Sequence, residues 1–73
     1  MEEQPRFRLA TVSRIPPRSE GWEGQITANL SAGKDGHFVL CGTLTMSQSE
    51  WESFVRAMRH CMGELFELDD RHG

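Results

Sequence analysis

Two runs of strict alternation meet at "GKDG", Gly33 to Gly36, and this arrangement leaves the chain few ways to fold. From Trp22 to Ala32, the residues Trp22, Gly24, Ile26, Ala28, Leu30 and Ala32 fall on one side. Glu23, Gln25, Thr27, Asn29 and Ser31 fall on the other. From His37 to Met46, Phe38, Leu40, Gly42, Leu44 and Met46 share a side, opposite His37, Val39, Cys41, Thr43 and Thr45. Side chains of a β-strand alternate between its two faces, so each run predicts a half-buried strand. Asp-Gly between such runs is a favoured hairpin turn, because the tight turn requires positive φ. Gly42 marks the second run as the place for a bulge or a close approach to another element. A lone hairpin is marginal in water, so its apolar face needs a cover.

The rest of the chain supplies a third strand and that cover. "RFRLATVSRI", Arg6 to Ile15, predicts a first strand, stopped by Pro16-Pro17 because proline offers no ladder donor. Its alternation puts Phe7, Leu9, Thr11, Ser13 and Ile15 on one face, and Arg6, Arg8, Ala10, Val12 and Arg14 on the other. After Met46 the period changes. Ser47 with Glu50 three residues later has capping-box spacing, and Met46 with Trp51 has the spacing of a hydrophobic staple. Trp51, Phe54, Val55, Met58, Cys61, Met62, Leu65, Phe66 and Leu68 then recur at helical intervals. The spacing predicts one helix from Gln48 to Leu68, about 31 Å long at 1.5 Å per residue. It places Cys61 in the core and Gly63 inside the helix, where glycine costs roughly 1 kcal/mol relative to alanine. Asp69 and Asp70 then stand at a helix C-terminus, which the helix dipole disfavours.

The predicted fold class is α+β: a three-stranded antiparallel sheet followed by one C-terminal amphipathic helix packed on one face, in the order β-β-β-α. At 73 residues the chain is read as a single domain spanning 1–73, with 1–5 and 69–73 expected to fray. No apolar run approaches the roughly 18 residues of a membrane span, so no membrane partner is expected. "MEEQPRFR" lacks the apolar core of a signal peptide, and the expected location is cytoplasmic. Two cysteines, Cys41 and Cys61, are too few for a secreted disulfide framework and are read as reduced thiols.

Catalytic chemistry has little to work with. The chain has no tyrosine and no glycine-rich phosphate loop. His37 and Cys41 lie about 13 Å apart along a strand, whereas a nucleophile and its base need roughly 3 Å. His37, Cys41, His60, Cys61 and His72 show none of the spacings of a structural zinc site. No enzyme, cofactor or metal is therefore expected.

Charge points to a binding surface instead. Residues 1–18 carry Arg6, Arg8, Arg14 and Arg18 against Glu2 and Glu3, while the remainder is acidic enough to bring the chain to −3. The face of the sheet turned away from the helix would hold Ala10, Val12, Val39, Cys41 and Thr43, with nothing left in the chain to cover it. A moderately apolar open face is a mark of an interaction surface, and edge strands offer unpaired backbone for strand addition. The candidate partner-binding residues are Arg6, Arg8, Val12, Arg14, Val39, Cys41 and Thr43. The expected function is non-enzymatic protein binding, as an adaptor or inhibitor of a larger complex or as a homodimer. Small phage or mobile-element inhibitors are one population of that kind. The alternative is a nucleic-acid-binding module whose Arg6, Arg8 and Arg14 lie along a phosphate backbone.

Overall fold

The computed structural model describes residues 4–18 and 21–69. Three antiparallel strands come first: β1 (Arg6–Ile15), β2 (Gln25–Lys34) and β3 (His37–Ser47). Helix α1 (Gln48–Met62) follows, then a single 3-10 turn (Gly63–Leu65) and a short strand β4 (Phe66–Asp69). The fold is α+β, but the sheet is four-stranded and mixed, in the order β3-β2-β1-β4. β4 pairs parallel to β1, from Phe7 opposite Phe66 to Ala10 opposite Asp69. The helix thus carries the chain from one edge of the sheet to the other, as a parallel pairing requires.

Several sequence features act as expected. β1 spans Arg6–Ile15 as its alternation predicts. The hairpin turns at Asp35 and Gly36, with φ of 57° and 80°, between the paired residues Lys34 and His37. Ser47 caps α1: its hydroxyl accepts from the Glu50 N–H at 3.4 Å, and its own N–H donates to Glu50 Oε1 at 3.0 Å. β2 begins three residues later than predicted, at Gln25. A side chain at Gly24 would come within 2.6 Å of the Ile15 carbonyl, where the chain leaving β1 crosses its return.

The helix ends six residues earlier than predicted, and Gly63 is the reason. It sits at φ 55° and ψ −125°, a conformation that side chains with a Cβ rarely adopt, and its N–H donates to the Arg59 carbonyl. Nothing approaches the space a Cβ there would occupy, so the glycine serves the backbone and not a close contact. Arg59 and His60 then occupy the last turn, the end where positive charge is favoured. The acidic Asp69 belongs to β4 instead, so the apparent conflict with the helix dipole disappears. Asp70, and the fraying expected for 1–3 and 70–73, lie outside the described residues.

The core lies between one sheet face and the helix. Leu9, Ile26, Ala28, Trp51, Val55 and Phe66 are buried. Phe7, Leu30, Leu44, Met46, Phe54, Met58, Met62 and Leu68 pack around them. Cys61, placed in the core by its spacing, is exposed, because Met58 and Met62 already fill the inward side of the last turns. Among the described residues no helix is long and apolar enough to cross a membrane.

Candidate functional site

Two β-bulges decide which side chains the open face of the sheet presents. In β1, Thr11 opposes Ala28 and Ser13 opposes Thr27, so Val12 is an extra residue. In β3, Gly42 opposes Leu30 and Leu40 opposes Ser31, so Cys41 is an extra residue. An inserted residue reverses the inward and outward assignment of everything beyond it. Gly42 therefore adjoins a bulge, one of the two roles its position suggests, and open space, not the helix, lies where its side chain would be.

The reversals redistribute the predicted site. Arg14 pairs with Ile26 and turns to the helix side, where its guanidinium lies 5.9 Å from the Trp51 ring centroid. It leaves the arginine row, of which only Arg6 and Arg8 remain on the open face of β1. Val39 pairs with Ala32, which itself pairs with the core-packed Phe7, so Val39 belongs to the helix side. It is nevertheless 71% exposed. Phe38 and Leu40, expected in the core, stand on the open face beside Arg6 and Arg8. Thr43 stays on the open face and donates to Asn29 Oδ1 at 2.9 Å. Val12, the extra residue of its bulge, and Cys41 are both exposed. The Cys41 thiol donates to the Val39 carbonyl, with sulfur and oxygen 3.7 Å apart.

The open face thus has two parts. Toward the Ser47 end it is mainly polar and paired across strands, Asn29 with Thr43 and Thr27 with Thr45 at 3.4 Å between hydroxyls, with Ile15, turned outward by the bulge at Val12 instead of into the core, exposed at its margin. Toward the hairpin it is apolar and charged. The Arg8 guanidinium lies 4.1 Å from the Phe38 ring centroid, close enough for a cation–π contact. Arg6 and Arg8 both reach Glu67 of β4, at 2.8 and 3.4 Å. These residues line a shallow groove of about 580 Å³ with Gln4, Lys34, Asp35, Gly36 and Leu65. Glu67 falls within the span predicted as helix; the strand geometry of β4 makes it the carboxylate partner of both arginines. The pairs are half exposed, so each contributes at most about 1 kcal/mol.

The helix explains why Val39 is bare on its own side of the sheet. Its fifteen residues span about 22 Å, against about 35 Å for the eleven residues of β3. It starts above the Ser47 end of β3 and drifts toward β4, so the hairpin end of β3 lies beyond its cover. Val39 and the 58% exposed Leu40 are left on opposite faces of the same uncovered stretch.

Among the described residues, no three His, Cys, Asp or Glu side chains come together to hold a metal ion. His72, one of the residues weighed for that role, lies outside the described residues. Compared with known proteins, the chain matches no family model, no curated protein and no solved structure.

Proposed function

We infer that the chain is a non-enzymatic protein-interaction module, acting as an adaptor or inhibitor by occupying a surface of a larger assembly. The observation that carries this reading is the bare end of the β2–β3 hairpin, where Val39 and Leu40 are exposed on a strand paired on one side only among the described residues. Exposed apolar residues scattered singly need no explanation. Two neighbours on an open strand edge are different, because the edge also offers backbone N–H and C=O groups to an incoming strand. The test is affinity capture with the intact chain and with Val39→Lys and Leu40→Lys variants. A specific partner protein held by the intact chain and lost from both variants supports the reading; capture that both variants retain removes it.

A second reading, nucleic-acid binding, is favoured by one observation: Arg6, Arg8 and Lys34 line the same groove as the Phe38 ring. Two others weigh against it. Glu67 already engages both arginines, and Arg14 faces the helix. Phosphate binding releases counterions, so this reading requires affinity that falls steeply with salt and weakens in Arg6→Ala and Arg8→Ala. Absence of binding to single- and double-stranded oligonucleotides at low salt disposes of it.

A further inference from the structure

The sheet has two edges, and they differ in a way that bears on what can pair with them. β4 is four residues long and carries Glu67 and Asp69. β3 is eleven residues long and contains none of the chain's 8 Lys and Arg or 11 Asp and Glu residues. Proteins normally guard a long edge with lysine, proline, inward-pointing charge or a β-bulge. In β3 the one such guard is the bulge at Cys41.

In a twofold-symmetric contact the same patch serves both partners, and residues near the axis meet their own copies. A charge there meets its like and opposes association. An uncharged edge satisfies this condition, and β4 does not. We propose that β3 pairs antiparallel with β3 of a second copy of this chain, joining two four-stranded sheets into one. This rests on the reading of the chain as a protein-interaction module, and names one partner of that same surface.

The bulge restricts the register. Residues that oppose one another must project from the same side of the joined sheet. Phe38, Leu40, Thr43 and Thr45 project from the open side, and Val39, Gly42, Leu44 and Met46 from the helix side. An axis between Cys41 and Gly42 matches these faces along the whole strand. Leu40 then opposes Thr43 of the second copy, Val39 opposes Leu44, and Phe38 opposes Thr45. The two bulges coincide at the axis, so each strand's extra residue is matched by the other's. Moving the axis to Val39 or to Leu44 matches faces on one side of the bulge only. The exposed Val39 thereby gains an apolar neighbour on the side that the chain's own helix does not reach.

The experiment uses the intact chain. Light scattering from low micromolar to near-millimolar concentration should show the mass doubling. Hydrogen exchange over the same range should show protection rising with concentration in residues 37–46, and unchanged in 66–69. Val39→Lys and Leu40→Lys should each remain folded by circular dichroism, since both positions are exposed, and stay monomeric. A chain that remains monomeric throughout overturns the proposal. So does a dimer that both lysine variants retain, or one whose concentration-dependent protection falls outside β3. A monomer that still captures a partner protein through Val39 and Leu40 overturns self-pairing alone and leaves the interaction module standing. A monomer with no such capture ends both.

Discussion

The two ends of the sheet are built from similar residues and have opposite fates. At the Ser47 end, Ile26, Ala28 and Met46 meet Trp51 and Val55, and the strand passes into a capped helix without a loop. At the hairpin end, Phe38, Val39 and Leu40 are as apolar, yet Val39 faces the helix side beyond the helix's cover and the bulge at Cys41 turns Phe38 and Leu40 to the open face. The difference is one of reach for Val39 and of register for Phe38 and Leu40. A fifteen-residue helix cannot cover an eleven-residue strand, and this one leaves β3 for the opposite edge. Hydrophobicity marks both ends as surfaces to be buried; only geometry says which one the chain buries for itself.

Truncations should separate the two ends most sharply. Leu9 is fully buried beneath the helix, and Leu40 is 58% exposed at the hairpin. Leu9→Ala should cost about 2–5 kcal/mol, the lost transfer energy plus the cavity left behind. Against the roughly 5 kcal/mol that a small domain has to spare, that is enough to unfold much of the population. Leu40→Ala should stay within about 0.5 kcal/mol in monomeric protein, since little packing is removed. Urea denaturation of both variants at low concentration measures the pair. Equal losses would mean that the hairpin end is packed in solution like the end beneath the helix.

The same contrast shows what the sequence could reveal. Strand β1, the Asp35-Gly36 turn and the Ser47–Glu50 box were legible because each depends on neighbours in the chain. The bulges were not. The pattern Phe38, Leu40, Gly42, Leu44 and Met46 keeps its period of two straight through Cys41, so the inserted residue leaves the sequence pattern intact and changes only the faces. Gly42 gave the one local hint; Val12, and with it the reversal of Arg14, gave none. β4 was hidden differently. Phe66 and Leu68 fit a helical stripe continued from Met62 as well as they fit a strand, and their spacing alone does not choose between the two. Gly63 and the acidic run after it were the available signals, since a helix ending at Leu68 would have had its dipole opposed. Missing β4 also meant missing Glu67 as the partner of Arg6 and Arg8, because that contact spans the whole chain.

Gly63 decides where the covering helix stops, and so how much of the sheet it covers. Gly63→Ala forces a Cβ into φ 55° and ψ −125° with no gain in packing. Strain of that kind costs about 1–3 kcal/mol. A thermal midpoint lowered by several degrees is the expected result. An unchanged midpoint would mean that the helix can run on through Gly63, and that β4 is dispensable to the fold.

The smallest effects belong to the corner where strand becomes helix. Ser47→Ala removes the acceptor for the Glu50 N–H and should cost about 1 kcal/mol, the usual loss at an N-cap. Its partner adds a pH dependence. The Glu50 carboxyl is held below its ordinary value of 4.5, chiefly by the Ser47 backbone N–H and then by the Ser47 hydroxyl. Glu23 is lowered in the same way by the Ser49 hydroxyl, which donates to Glu23 Oε1 at 2.6 Å. A carboxyl whose folded value is depressed stabilises the fold above its unfolded pKa and loses that contribution as pH falls through the folded value. Glu50→Gln should therefore be less stable than the parent at neutral pH, by a difference that holds down to about pH 4.5 and shrinks below it. Both carboxyls are fully exposed, so the difference should be small and further reduced by salt. Chemical denaturation of the two proteins across that pH range reads it directly. A difference that grows toward acid would place the proton on the wrong side of this cap, and the box would then hold a neutral Glu50 in place of a carboxylate.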